Sequence, residues 1–246
     1  MAFTNSPLVT YKNLTKNFTA NRNHAIDTIT IHCYVGQVTA KQGCDYFATT
    51  TRQCSSNYIV GHDGSIGLSV EEKNRAWTSG GLDKNGNPIR VNGISGADND
   101  HRAVTIEMAC DAYAPYAVTT AAYNALIALV ADICMRNGIK KLLWKGDKNL
   151  IGQVDKQNMT VHKWFAPTEC PGSYLYDRMG DIASKVNAKI TAKIETGDAM
   201  VKELVNRYGV EIQKVDLAVN ALNKAKNNPE FLSLYWIIYK LLNGNH

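Results

Sequence analysis

The sequence predicts a sheet domain of the α/β or α+β class, followed by a small helical region at the C-terminus. Short apolar segments with the two-residue alternation of strands are interleaved with segments that carry a helical stripe, a mixture typical of sheets packed against helices. The chain has 246 residues, which is enough for one or two domains with a sizeable core. The composition changes near Ala188, where a heptad-like pattern takes over.

The segment "AIDTITIHCYV" predicts the first long strand, because β-branched residues fill it and apolar and polar residues alternate. "NYIVGHDGSIGLSV" predicts two strands joined by a turn at Asp63 and Gly64. "RAVTIEMAC" predicts a further apolar strand that holds a single acid. The alternation in the first strand separates two sets of side chains, with Thr28, Thr30 and His32 on one face and Ile29, Ile31 and Cys33 on the other.

The segment from Thr119 to Gly138 predicts a long helix, with a threonine cap, an apolar stripe and a terminal glycine. "IKKLLW" and "MTVHKW" predict two more short strands, and a helix is expected from about Tyr174 to Ile190. A segment rich in Gly, Asn and Asp lies between Trp77 and Asp100. It predicts a long loop, either the rim of a groove or only a mobile connection.

Composition and charge favour a soluble globular protein, since 45% of the residues are hydrophobic, 20% are charged and the net charge is +5. The sequence shows no Lys/Arg-rich block and no apolar stretch of the roughly 18 residues that cross a membrane, so we expect no nucleic-acid partner and no membrane span. The polar N-terminus resembles no secretory signal, so we expect synthesis and folding in the cytoplasm. In that reducing compartment the six cysteines are expected to be thiols or metal ligands.

His162 and Cys170 lie eight residues apart in "VHKWFAPTECPG", a spacing that suits a loop in which an imidazole and a thiolate bind one metal ion. A catalytic zinc ion needs three protein ligands and one open position. His32, near the end of a predicted strand, is the natural third candidate. His101, in the polar segment before the next strand, is the main alternative.

Glu107 is the single acid in an otherwise apolar predicted strand. A carboxylate in such a place costs desolvation free energy, which indicates either an ionic partner or a catalytic task. A position at a sheet edge or facing solvent is the ordinary alternative. The nearby candidate ligands favour the catalytic interpretation.

Three motifs together resemble a known family. "TITIHCY", "AVTIEMA" and "VHKWFAPTECPG", in that order, are similar to the zinc-dependent N-acetylmuramoyl-L-alanine amidases of the type 2 amidase or peptidoglycan-recognition-protein group, which includes many phage and prophage endolysins. The resemblance implies a central mixed β-sheet flanked by helices, and it implies a catalytic domain over residues 1–190.

The same resemblance implies roles for individual residues. It implies zinc ligation by His32, His162 and Cys170, and it matches Glu107 to the acid of the bacterial and endolysin branch. Thr168 matches a position where many members carry a Lys or Thr that steadies the tetrahedral intermediate.

Other matches concern the substrate groove. Trp77 resembles a residue on the groove wall, although Thr78 follows it where the family has His. Ser56 stands where some relatives place a catalytic Tyr, and we expect both Trp77 and Ser56 to contact substrate. This departure leaves Glu107 as the main acid-base candidate.

The activity implied by the resemblance is hydrolysis of the lactyl-amide bond between N-acetylmuramic acid and L-alanine in peptidoglycan, with Zn²⁺ as the cofactor. The implied biological role is that of a phage or prophage endolysin, which reaches the cell wall after release through a holin. Two alternatives stay open. One is a non-catalytic peptidoglycan-binding module of the same fold, and the other is a protein with a purely structural zinc ion.

Residues 191–246 predict a helical hairpin. An apolar seam from Val201 to Leu222 repeats every three or four residues, and Asn228 with Pro229 then begins an apolar helix. This hairpin could close its own core, form a homodimer or bind the cell wall.

Overall fold

The structure is a computed structural model that describes residues 3–208, with side-chain environments described as far as residue 193. Residues 3–191 form one compact unit. Within the described part of the chain, no helix is both long enough and apolar enough to cross a membrane.

Regular elements occupy much of this unit. The strands are β1 (Tyr11–Lys12), β2 (Phe18–Thr19), β3 (Thr28–Cys33), β4 (Tyr58–Val60), β5 (Ile66–Leu68), β6 (Arg75–Ala76), β7 (Arg90–Val91), β8 (Ile94–Ser95), β9 (Ala103–Met108) and β10 (Met159–Val161). The helices are α1 (Ala40–Thr49), α2 (Gly96–Arg102), α3 (Thr120–Asn137), α4 (Gly172–Tyr176) and α5 (Met179–Tyr208), with short 3-10 helices at Lys148–Leu150 and His162–Trp164.

Six strands form a central mixed sheet in the order β1-β5-β4-β9-β3-β10. Strands β4, β9, β3 and β10 run parallel to one another, whereas β5 is antiparallel to β4. Two small ladders, β2 with β6 and β7 with β8, lie outside this sheet. The predicted fold class, a central mixed sheet flanked by helices, is therefore confirmed.

The two faces of the sheet have different partners. Ile29 and Ile31 of β3 belong to the main core, which also contains buried residues of α3 and α5. On the other face, Ile59 of β4 forms a smaller apolar cluster with Cys44 and Phe47 of α1. The alternation predicted for β3 is confirmed, because its isoleucines enter the main core and leave His32 on the opposite face.

Helix α3 agrees with its predicted end signals. The side chain of Thr119 accepts a hydrogen bond from the N–H of Ala122. Gly138 adopts φ 73°, the left-handed conformation that ends many helices, and its N–H donates to the carbonyl of Cys134.

The segment "IKKLLW" is not a strand, and its prediction was wrong. The amide side chain of Asn158 accepts from the N–H of Leu143 at 2.7 Å and donates to the carbonyl of Lys141 at 2.9 Å. The amide of Asn187 accepts from the N–H of Leu142 at 2.8 Å. Side-chain amides therefore satisfy backbone groups that a neighbouring strand would otherwise pair.

The segment between Trp77 and Asp100 is more ordered than predicted, since it contains β7, β8 and most of α2. Ser95 and Asp98 form a reciprocal capping box at the start of α2. Helix α1, which the hydrophobic pattern did not predict, begins with the same device, formed by Thr39 and Gln42. Such a pair is visible in a sequence and would have located both helices.

The helix expected to end at Ile190 continues to Tyr208 as α5. No proline interrupts this stretch, so nothing in the sequence forces the helix to stop. The remainder of the predicted hairpin, including the helix from Pro229, lies outside the described residues. The proposed homodimer contact lies there as well.

Candidate active site

The candidate site lies at the carboxyl ends of three adjacent parallel strands, the edge where open sheets commonly bind ligands. His32 of β3 pairs in register with Glu107 of β9, and Ile31 pairs with Val161 of β10. The chain leaves β10 at His162, directly after that pair. The sheet register thus brings residues from three distant segments into one row.

His32, His162 and Cys170 meet in a geometry that suits a metal ion. One ring nitrogen of each histidine and the Cys170 Sγ all lie within 4.8 Å of one another. The Sγ lies 3.6 Å from His32 Nδ1. Zinc bonds of about 2.0–2.3 Å in a tetrahedral arrangement place two ligand atoms about 3.5 Å apart.

A buried, unpaired atom supports the same conclusion. His162 Nε2 is shielded from solvent and has no hydrogen-bond partner among the described residues. Buried polar atoms are normally paired, so an orphaned imidazole nitrogen beside a thiol and a second imidazole fits a metal ligand. The three residues therefore fit a zinc ion, with the fourth position open.

His32 is held in place from its other ring nitrogen. Ser79 Oγ lies 3.4 Å from His32 Nε2, and the N–H groups of Ser79 and Thr78 both donate to Asp100 Oδ2, at 2.8 and 2.9 Å. Helix α2 thereby fixes the group that orients the imidazole. Burial, and then the nearby His162, hold the pKa of His32 well below its usual value, which favours the neutral form that binds metal.

Cys170 is positioned by two backbone contacts. Its Sγ accepts a hydrogen bond from the N–H of Cys33 at 3.3 Å. Its own N–H donates to Thr168 Oγ1 at 3.2 Å. Thr168 Oγ1 therefore accepts one hydrogen bond, and its own O–H has no acceptor among the described residues.

Glu107 has an environment suited to proton transfer. Its Oε2 is buried and has no hydrogen-bond partner in the described part of the chain. Burial raises the pKa of Glu107 to about 7, although the nearby His162 acts in the opposite direction. A carboxyl group with a pKa near neutrality can both accept and return a proton efficiently.

Most of these groups, though not His32, line a cavity of about 610 Å³ that is open to solvent. Glu107, His162 and Cys170 lie in its wall, together with Thr168 and Trp77. The Trp77 ring is fixed by a hydrogen bond of 2.9 Å from its Nε1 to Thr19 Oγ1. The cavity is large enough for the part of a small substrate that surrounds a reacting bond.

The sequence profile of the N-acetylmuramoyl-L-alanine amidase family matches residues 22–173, which is more than half of the chain. The chain belongs to this family. The predicted family is thus confirmed, and the protein is an amidase. A comparison with curated proteins gave no match.

Solved structures similar to this amidase support its fold. The crystal structure of the selenomethionine derivative of AmpD is 17% identical to this chain and has a TM-score of 0.51. The match covers 74% of this chain and 99% of the AmpD chain. The Staphylococcus aureus hydrolase AmiA in complex with its ligand is 17% identical, with coverages of 75% and 84% and a TM-score of 0.50. At this identity the likeness concerns the fold alone.

Two sequence expectations do not agree with the site of the amidase. Ser56 is fully buried, and its hydroxyl donates to the carbonyl of Thr105 at 2.9 Å. It has no access to a substrate in the cavity, so its assignment as a substrate contact is corrected, and the neighbouring Ser55 lines the cavity instead. His101, the alternative metal ligand, accepts from the N–H of Asn23 and lies outside the cluster of His32, His162 and Cys170.

The amidase cavity also has an aromatic wall that the sequence motifs do not predict. Tyr46 and Phe47 of α1 line it together with Tyr34, which follows β3. The Tyr34 and Phe47 rings meet edge to face at 6.0 Å. Because two of these residues lie on α1, recognition of the capping box at Thr39 would have indicated this wall.

Proposed function

We propose that this amidase is a zinc hydrolase that cleaves the lactyl-amide bond between N-acetylmuramic acid and L-alanine in peptidoglycan. One observation carries the proposal: two members of a His-His-Cys group able to hold zinc, His162 and Cys170, share a cavity wall with Glu107, whose pKa is near neutral. Family membership supplies the substrate class.

In this proposal His32, His162 and Cys170 hold the zinc ion and leave one position open. When bound, zinc supplies a Lewis acid that polarises the scissile carbonyl and lowers the pKa of water. His32 lies on β3 and His162 directly follows β10, while the Cys170 Sγ accepts a hydrogen bond from the N–H of Cys33 at the end of β3, so the ligand atoms are in place before the ion arrives.

Glu107 is the proton carrier in this proposal. Its carboxylate accepts a proton from the attacking water and returns it to the nitrogen of the leaving amine as the C–N bond breaks. The products are the lactyl carboxylate on the sugar and a free amino terminus on L-alanine. Thr168 directs its O–H toward the oxygen that gains negative charge, and Trp77 offers an apolar wall for the substrate.

The alternatives receive less support from the geometry. A binding module would not need Glu107 beside a complete ligand set. A structural zinc site would need a fourth protein ligand, and the metal-binding group found among the described residues contains three. The endolysin role and release through a holin belong to the proposal and rest on the motif resemblance.

The decisive test measures zinc content and the release of new amino termini from purified cell walls. The Cys170→Ser variant should lose most of its bound zinc and its activity, whereas Glu107→Gln should keep zinc and lose about two to four orders of magnitude in rate. Cys54→Ser is the matched control for zinc content, because Cys54 is a thiol that lines the cavity outside the ligand set. Stoichiometric zinc in Cys170→Ser, or near-normal turnover in Glu107→Gln, would refute these roles.

A further inference from the structure

Backbone strain in the described residues is concentrated at the cavity. Four residues other than glycine adopt a positive φ: Asn21 (57°), Val35 (60°), Asn92 (51°) and Tyr116 (62°). Asparagine tolerates this left-handed conformation, whereas a β-branched or bulky residue there is a genuine outlier. Val35 and Tyr116 both line the cavity, and neither asparagine does. The two residues at which a positive φ costs conformational free energy are therefore the two that line the cavity.

The neighbours of Val35 hold it in this conformation. The N–H of Tyr34 donates to the carbonyl of Met108 at 2.9 Å, and the N–H of Cys110 donates to the carbonyl of Gly36 at 3.1 Å. Backbone hydrogen bonds to the end of β9 thus fix the chain on both sides of the strained residue. Strain that the surroundings impose in this way is often associated with function.

The core gives no reason for a valine at this position. The residue is 51% exposed, so folding buries only about half of it. Among the described residues that line the cavity it is the one aliphatic hydrocarbon side chain, and the others are aromatic, polar, charged or cysteine. It also lies two residues from Cys33, whose N–H binds the Sγ of Cys170. Val35 therefore places an apolar side chain at the cavity although the hydrophobic core does not require one there.

We propose that Val35 is a specificity-determining residue that contacts a methyl group next to the scissile amide. The inference rests on the proposed function, whose substrate carries one such methyl on each side of the amide, on the lactyl group and on L-alanine. Contact with either methyl would remove exposed apolar surface of Val35 from water.

The test measures three soluble substrates on the wild type, on the Val35→Gly variant and on a matched control variant. The substrates are a muramoyl-L-alanyl peptide, its glycine analogue without the alanine methyl, and its normuramoyl analogue without the lactyl methyl. Val35→Gly removes the side chain and relieves the strain. Asn92→Gly makes the same kind of backbone change at a positive φ outside the cavity. For each protein we would measure kcat, KM, zinc content and Tm.

We expect Val35→Gly to raise KM for the methyl-bearing substrate roughly tenfold, with unchanged zinc content and a Tm no lower than that of the wild type. The preference over one of the two analogues should shrink toward unity, and that analogue identifies which methyl Val35 contacts. Val35→Asn, which tolerates the same backbone conformation, should give the same loss of preference. Asn92→Gly should leave all preferences unchanged.

An equal loss on all three substrates, or unaltered preferences, would overturn the inference. So would a lower Tm with loss of zinc in both Val35 variants, because that result assigns Val35 a structural role. If the zinc-loaded wild type cleaves none of the substrates, the proposed function fails separately. Calorimetry would then measure the affinity of each compound for the wild type and for Val35→Gly. If Val35→Gly shows the same relative affinities for the three compounds as the wild type, the inference is overturned.

Discussion

Glu107 makes the stability of the metal-free protein depend on pH. Burial, opposed by His162, raises its pKa from 4.5 to about 7, so the folded state holds the proton more tightly than the unfolded chain. This stabilisation is fully present below about pH 4.5 and is lost as the pH rises through about 7. The free energy of unfolding of Glu107→Gln minus that of the wild type should therefore increase by about 3 kcal/mol as the pH rises from about 4.5 to about 7. Urea unfolding with a chelator measures this, and a pH-independent difference would contradict it.

The sequence predicts the chemical roles of single residues better than it predicts their backbone conformations. The spacing of His162 and Cys170 and the position of His32 near a strand end predict one shared metal site, and the structure brings these three side chains together. The conformation of Val35 could not be foreseen, because it arises from backbone contacts with a strand about seventy residues away. The same limit explains Ser56, whose orientation depends on a bond to Thr105.

Helix α3 is fastened to the sheet by a buried ion pair. Glu72 is fully buried and accepts hydrogen bonds from Tyr58 Oη at 2.6 Å, Arg136 Nη2 at 2.6 Å and Asn137 Nδ2 at 3.2 Å. Removal of Arg136 would leave a buried carboxylate without its charge partner. We expect Arg136→Ala to lower the free energy of unfolding by about 3–5 kcal/mol.

The control for this prediction is Arg90→Ala. Arg90 pairs with Asp98 at 2.9 Å, but both side chains are about half exposed, so the pair is weak. Its loss should cost less than about 1 kcal/mol. Urea unfolding of the two variants gives the comparison, and similar losses would show that burial does not decide the strength of the Arg136 pair.

Element prediction succeeded where a local pattern was sufficient. The faces of β3 and the ends of α3 follow from alternation and capping residues, which are local signals. "IKKLLW" has the composition of a strand, yet its backbone is satisfied by the amides of Asn158 and Asn187. Those amides lie 15 and 45 residues from their partners, so no local sequence pattern predicts these hydrogen bonds.

At the scale of the whole molecule, the core ends within α5. Among residues with described side chains, Ile190 is the last buried residue of this helix, and the compact unit ends at Thr191. A chain that stops at Thr191 should therefore fold, bind zinc and cleave soluble muramoyl-peptides. It should be less active on intact walls, or change its oligomeric state, if the tail binds wall or dimerises.

Two measurements check this expectation: turnover of soluble fragments and of purified walls by the shortened chain, and its mass in solution beside that of the full chain. A folded, zinc-loaded short chain that no longer cleaves small fragments would show that the tail contributes to the active site. The predicted division into residues 1–190 and 191–246 would then be wrong.

The amides that make "IKKLLW" irregular also affect how the protein behaves at high concentration. Strand β10 lies at one edge of the central sheet, and an open edge can recruit a strand from another molecule and begin aggregation. Where the chain enters β10, the N–H of Asn158 donates to the carbonyl of Leu143, and the side chain of Gln157 accepts from the N–H of Lys145. The residues that lead into this three-residue edge strand are therefore already paired within the chain, which limits the length of backbone that a foreign strand could join.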